Sequence, residues 1–281
     1  MTTTTWAGPE AGESGTEGLG RAIEHAIERS PNHDLLQRRL EGIRGTEELV
    51  CFLHRFLHFN DALAARVPFL AGLIHLHPEL FADPADVEEF CRRRNACLSA
   101  YVAEAANDEY RMTAAGNLVH QRLSQLFFKA VLGHYALRGP DFDRAHPLPQ
   151  SVAMLLDEAR TLFFADARLE TVCRAIGFHV GLEFYADQEF NLVDNFLRHQ
   201  HEGLVAALSA KFDGEPAAYL WMSLHTVVEI GHYRAGLAAV ADAVRFCVPR
   251  DMAPRVQEWI LEGLAAFADL QRRFYECVLP G

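Results

Sequence analysis

Three residues of metal-binding types recur at helical spacing in an otherwise apolar segment near the C-terminus. His225, Glu229 and His232 are spaced i, i+4 and i+7, so their side chains share one stripe of an α-helix. Burying two imidazoles and a carboxylate without a partner is costly, and a transition metal ion satisfies all three. The spacing therefore favours a metal-binding stripe on a core helix. A solvated stripe on a partly exposed helix is the alternative.

Apolar residues recur at three to four positions along the chain, which is typical of helices and not of strands. The sequence therefore predicts an all-α protein, with one bundle of about eight or nine helices over residues 19–281. Residues 1–18 are rich in Thr, Gly and Glu, and we expect a disordered tail there. The longest helices are predicted over about 46–77, kinked at Pro68, and over 107–137, 168–198, 216–246 and 252–277. Asp83-Pro84-Ala85-Asp86 resembles the first turn of another helix.

The charge balance and the hydropathy limit the classes of partner. The chain has 26 basic and 38 acidic residues and a formal net charge of −12, which argues against nucleic acids and anionic membranes. No apolar run approaches the roughly 20 residues of a membrane span, and the first residues lack the pattern of a signal peptide. The six cysteines form no CxxC pair. Their even number would allow disulfides, but a chain of this size needs none, so buried thiols in a reducing cytosol are favoured. We expect a soluble cytoplasmic protein.

Two further segments carry candidate ligands for the stripe. Glu109 and His120 are eleven residues apart, which is about three helical turns, so both can face one way if the helix stays regular past Gly116. The alternative is that both are solvated. In the apolar run 172–185, His179 and Glu183 are four residues apart.

Glu189 competes with Glu183 for the inward position. The two residues are six apart, which is about 240° around a helix, so only one of them points into the core. The more apolar neighbours of Glu183 favour it, and Glu189 stays open as the alternative. Mixed imidazole and carboxylate donors on several helices are typical of non-haem di-iron sites in helical bundles, and they suit iron or manganese better than structural zinc. The candidate metal ligands are Glu109, His120, Glu183, His225, Glu229 and His232.

In their order along the chain, these segments resemble the haem-oxygenase-like di-iron oxidases and oxygenases. That family has a Glu and a His on one core helix. A Glu follows in an apolar helix with a Gly-x-Glu-like motif, and an H-x-x-x-D-x-x-H-like pattern comes on a later helix. The corresponding segments here contain Glu109 and His120, Gly181-Leu182-Glu183, and His225 to His232. The resemblance covers about 45–246. Glu229 stands where the family usually has Asp, and the step from Glu109 to His120 is wider than the family's seven residues.

The resemblance implies two Fe(II) ions, or manganese, with O2 as co-substrate and a small amine- or acid-bearing metabolite as substrate. It also implies electrons from the substrate or an external donor, and it leaves a homodimer open. N-oxygenation of an amine is the favoured activity, and oxidative C–C cleavage or decarboxylation is the alternative. A metal-free enzyme of the thiaminase or quinone-cofactor-synthase type, a haem-binding protein and a non-catalytic helical protein remain as further interpretations.

Overall fold

A computed structural model describes residues 16–110, 120–210 and 217–279; the side chains of 16–17, 90–91 and 108–110 are outside the described part. Its first half contains six α-helices and a short 3₁₀ turn, Pro78–Leu80. The helices are α1 (Thr16–Glu28), α2 (Asn32–Gly42), α3 (Thr46–Ala64), α4 (Val67–Leu76), α5 (Glu89–Arg92) and α6 (Asn95–Tyr110).

The second half contains seven more α-helices and a 3₁₀ turn, Arg250–Met252. The helices are α7 (His120–His134), α8 (Gly139–Ala145), α9 (Gln150–Leu162), α10 (Leu169–Gln200), α11 (Glu202–Ser209), α12 (Leu220–Phe246) and α13 (Ala253–Cys277). The described ranges contain no β-strand, only two isolated bridges, so the all-α prediction is confirmed. Ten helices have ten residues or more, so the predicted count of eight or nine was too low.

One reason for the low count is the segment predicted as a single kinked helix over 46–77. It forms two helices, α3 and α4, with Ala65 and Arg66 between them. Pro68 lies in the first turn of α4. Proline lacks an N–H group, and its ring clashes with the carbonyl four residues earlier. In a continuous helix that carbonyl would be Ala64, which is where α3 ends.

The segment Asp83–Asp86 does not begin a helix, and here the prediction was wrong. Asp83 accepts a hydrogen bond from the backbone N–H of Ala85 at 3.0 Å. Arg94 then binds both carboxylates, at 2.9 Å to Asp83 and 2.8 Å to Asp86. Asp side chains that bond the nearby backbone compete with helix formation, so this segment is a turn that precedes α5 and α6.

The 32-residue helix α10 lies at the centre of the molecule. It packs most extensively against α13 and α12, and its buried residues lie on all sides, as expected of a helix surrounded by others. Two glycines bring α10 and α13 into backbone contact. A Cβ atom added to Gly177 would lie 1.8 Å from the carbonyl oxygen of Ile260, and one added to Gly263 would lie 1.9 Å from that of Arg174.

Helix α12 lies against α10 through another glycine. A Cβ atom added to Gly236 would be 3.1 Å from Val180. The residues His225, Glu229 and His232 are all buried, whereas Val227 is 71% exposed. The predicted stripe therefore faces inward, and the solvated alternative is excluded. In the described ranges, no helix has both the length and the apolar character that crossing a membrane requires.

Candidate metal centre

The core between α10 and α12 contains a group of three metal-ligand types. Glu183 comes from α10, and Glu229 and His232 come from α12. All three side chains are buried, and one donor atom of each lies within 4.8 Å of the others. Nδ1 of His232 lies 3.3 Å from Oε2 of Glu183 and 3.4 Å from Oε2 of Glu229. This group can hold a metal ion.

A fourth side chain, His179, lies one helical turn before Glu183. Its Nδ1 atom is 3.1 Å from Oε1 of Glu183. The imidazole is fully buried, and its Nε2 atom has no hydrogen-bond partner in the described part of the chain. A buried polar atom without a partner is unusual in a folded protein. His179 was noted in the sequence four residues before Glu183 but was not included among the candidate ligands.

Two more imidazoles meet on the other side of Glu229. Nε2 of His225 lies 3.8 Å from Oε1 of Glu229 and 3.1 Å from Nδ1 of His120. The two oxygens of Glu229 therefore face different imidazoles, Oε1 towards His225 and Oε2 towards His232. This carboxylate therefore lies between the two groups of imidazoles.

Trp221 orients both imidazoles of this second group. Its backbone carbonyl lies 2.6 Å from Nδ1 of His225 and accepts a hydrogen bond from it. In neutral His225 the Nε2 atom is therefore the acceptor, and it faces Nδ1 of His120 at 3.1 Å. The indole N–H of Trp221 donates to Nε2 of His120 at 3.0 Å. Because indole can only donate, Nε2 of His120 is the acceptor.

The buried groups have strongly perturbed pKa values. Burial acts to raise the pKa of Glu183, but His179 and His232 outweigh it and hold that pKa well below its ordinary value. Burial and the neighbouring Glu183 raise the pKa of Glu229 well above its ordinary value, although His232 opposes them. For His232, burial acts to lower the pKa, but hydrogen bonds to Glu183 and Glu229 raise it to about 11.

The directions of these shifts indicate how protons are shared within the group. Without a metal ion, the raised pKa values of Glu229 and His232 favour their protonated forms, and the lowered pKa of Glu183 favours its ionised form. A divalent cation has the charge of two protons, so replacing those protons leaves the buried charge unchanged. Burial and the neighbouring His120 lower the pKa of His225 well below its ordinary value, so this imidazole is neutral and able to ligate.

The available space and the donor types also fit small transition ions. A cavity of about 30 Å³ lies between the two groups, and its lining includes His120, Glu183, His225 and Glu229. This volume is comparable to that of one water molecule. Carboxylate oxygens and imidazole nitrogens suit iron, manganese and zinc.

Glu183 and Glu189 are both buried, so the prediction that only one of them points into the core was wrong. Glu189 occupies a different site from Glu183. It accepts hydrogen bonds at Oε2 from Gln271 at 3.0 Å and from Tyr275 at 2.5 Å, both on α13. Burial raises the pKa of Glu189 to about 7, although these hydrogen bonds act to lower it. The structure therefore places Glu183, and not Glu189, beside Glu229 and His232.

The predicted pair Glu109 and His120 is described only in part. Glu109 lies in the last turn of α6, but its side chain and residues 111–119 are outside the described ranges. The regular helix expected past Gly116 therefore stays a prediction. His120 is the first residue of α7, and it is connected to the buried donors through its contact with His225.

Sequence reasoning missed Asp61 on α3. Its Oδ1 atom lies 3.9 Å from Nε2 of His120, and its Oδ2 atom accepts a hydrogen bond from Ser124 at 3.3 Å. A useful signal was present, because His54, His58 and Asp61 repeat the i, i+4, i+7 spacing of the stripe on α12.

Asp61 also lines a much larger cavity of about 1080 Å³ between α3, α7, α8 and α9. Its wall combines apolar, acidic and basic residues, including His54, His58, Phe128, Lys129, Leu132, Asp143, Leu156 and Arg160. Because Asp61 also lies beside His120, this cavity adjoins the buried donor groups.

No model of a known protein family matches this sequence, and no curated protein is significantly similar to it. The functional interpretation therefore depends on the fold and on the geometry of the site.

Proposed function

We propose that this protein is a non-haem di-iron oxygenase that uses O2 to oxidise a small metabolite, with N-oxygenation of an amine as the favoured reaction. The observation that carries the proposal is the position of Glu229, whose two oxygens face imidazoles of two separate donor groups. Two iron ions bound on either side of this carboxylate would supply the O2 chemistry.

The residues would divide into two sets that share Glu229. Glu183 and His232 would hold one ion with it, and His225 and His120 would hold the other. If Nδ1 of His120 held an ion, the imidazole proton would lie on Nε2, which could then not accept from the indole N–H of Trp221. The hydrogen bond of 3.0 Å between these side chains would then be lost.

The large cavity supports an amine as the substrate. It is lined by apolar side chains such as Phe128 and Leu132 and by the carboxylates of Asp61 and Asp143, a composition typical of small-molecule sites. A protonated amine bound to Asp61 would lie beside His120, because the carboxylate faces both the cavity and that imidazole. Asp61 would thus position the nitrogen atom that is oxidised.

Lys129 and Arg160 favour a second candidate. Both basic side chains line the same cavity, and cations of this kind bind carboxylates. A substrate with a carboxylate would instead suit oxidative C–C cleavage or decarboxylation at the same pair of ions. Manganese is the alternative metal.

The proposal is tested by adding Fe(II) to the metal-free protein under anaerobic conditions and then mixing with O2. We expect two equivalents of iron to bind, and a transient visible absorption to follow O2 in the wild type but not in His225→Ala. His75→Ala is the matched control, because His75 is an exposed helical histidine far from the stripe in sequence. Failure of the wild type to bind iron would refute the proposal and favour the metal-free enzyme.

The substrate class is tested by O2 consumption with a panel of amines and the matched carboxylic acids. If amines are oxidised, Asp61→Asn should raise KM for the amine at least about tenfold, the effect of about 1.4 kcal/mol of binding. Lys129→Ala should leave that KM unchanged. The reverse pattern, with acids as substrates, would contradict N-oxygenation and support C–C cleavage.

A further inference from the structure

A second pair of imidazoles lies on the wall of the large cavity. His54 and His58 are one helical turn apart on α3, and their Nε2 atoms are 3.1 Å apart. Both residues line the cavity of about 1080 Å³. Neither takes part in the buried donor groups around Glu229.

The distance between these nitrogens matches chelation of one ion. Zinc–imidazole bonds are about 2.0–2.1 Å long. Two such bonds that span 3.1 Å enclose an angle of about 100°, between the octahedral and tetrahedral values. A hydrogen bond between the imidazoles also fits 3.1 Å, so metal binding itself must be measured.

Aromatic packing holds the ring of His54 in this orientation. Phe128 stacks on it with a centroid distance of 5.0 Å and an interplanar angle of 19°. Phe142 meets it edge-on at 5.4 Å. The side chain is 11% exposed, so its neighbours hold the imidazole in place at the wall of the cavity.

A carboxylate from another helix lies beside His54. Oδ1 of Asp143, on α8, is 3.9 Å from Nε2 of His54. The side chain of Asp143 is 66% exposed, so rotating it towards an ion disturbs no packed core. Two imidazoles and one carboxylate are a common set of protein ligands for Zn²⁺, with further positions open to water or a small molecule.

We infer that His54, His58 and Asp143 form a binding site for a divalent transition ion of the Zn²⁺, Co²⁺ or Ni²⁺ class, with its open positions facing the large cavity. The inference does not depend on the proposed oxygenase activity, because it uses none of the buried donors. An ion here would bind an anionic or other electron-donating group of a molecule in the cavity, whose wall also includes Lys129 and Arg160.

The test uses Zn²⁺ alone as the probe. Zn²⁺ binding is measured by calorimetry and by metal analysis for the wild type, His58→Ala and the matched control His75→Ala. We expect His58→Ala to bind one Zn²⁺ equivalent fewer than the wild type, and His75→Ala to match the wild type. Equal stoichiometry and affinity in the wild type and His58→Ala would overturn the inference and leave a hydrogen bond between two imidazoles.

Asp143→Asn keeps the test decisive if His58→Ala fails to fold. Asp143 is exposed, so this change should leave the helical circular dichroism unchanged. We expect it to lower the affinity for that Zn²⁺ equivalent about tenfold, which is the effect of losing a carboxylate that supports a metal. An unchanged Zn²⁺ affinity in Asp143→Asn would show that the carboxylate is not a ligand, and it would refute the inference.

Discussion

Replacing Glu189 by Gln should change how the stability of the protein depends on pH. Burial raises the pKa of Glu189 to about 7, against an ordinary value of 4.5. The folded protein therefore binds this proton more tightly than the unfolded chain, so the free energy of unfolding falls as pH rises between these two values. At 1.36 kcal/mol per pKa unit, the loss from pH 5 to pH 8 is about 2.5 kcal/mol.

Glutamine has the shape of the protonated side chain, and its carbonyl oxygen can accept from Gln271 and Tyr275 as Oε2 of Glu189 does. The assay is denaturant unfolding of the wild type and Glu189→Gln at pH 5 and pH 8. We expect the wild type to lose about 2.5 kcal/mol more than the variant over this interval.

Glu202→Gln is the control, because Glu202 is an exposed carboxylate on α11. The free energy of unfolding of Glu202→Gln should change between pH 5 and pH 8 as much as that of the wild type. The same pH dependence in Glu189→Gln and the wild type would refute the reasoning, since Glu189 would then be no more tightly protonated in the folded state than in the unfolded chain.

Two further predictions follow from the packing and from the buried charges. Gly177→Ala should destabilise the protein by about 3 kcal/mol in denaturant unfolding, because its Cβ would meet the carbonyl of Ile260 at 1.8 Å. Gly72→Ala is the control, since Gly72 lies in open space on α4, and it should stabilise the protein by up to about 1 kcal/mol. A similar change in stability for both variants would contradict the close contact at Gly177. Binding of the first Mn²⁺ should displace protons from Glu229 and His232, because both pKa values are raised in the metal-free protein, so the Mn²⁺ affinity should rise with pH. Calorimetric heats that do not depend on the ionisation enthalpy of the buffer would contradict this prediction.

Much of the helical architecture could be predicted because the apolar period of the long helices is strong. The helices predicted over 168–198, 216–246 and 252–277 match α10, α12 and α13 to within four residues at each end. The errors came from local chemistry. Pro68 ends α3 instead of kinking it, and the carboxylates of Asp83 and Asp86 bind Arg94 instead of beginning a helix.

The site shows what spacing can and cannot predict. The shared stripe of His225, Glu229 and His232 follows from helix geometry alone, because the three residues are on one helix. The choice between Glu183 and Glu189 depends on which helix packs on which side of α10, and periodicity within α10 does not contain that information.

Contacts between segments that are distant along the chain could not be predicted from the sequence either. The contact between Asp61 and His120 joins α3 to α7, and the hydrogen bonds of Trp221 join α12 to His120. These pairings depend on tertiary packing. A single sequence contains the residue types but not which of them meet.

Anomalous diffraction at the iron edge, on crystals soaked anaerobically with Fe(II), would locate the bound ions. We expect two iron peaks, one among Glu183, Glu229 and His232 and one beside His225 and Glu229. Iron bound elsewhere, with no peak next to Glu229, would contradict this expectation.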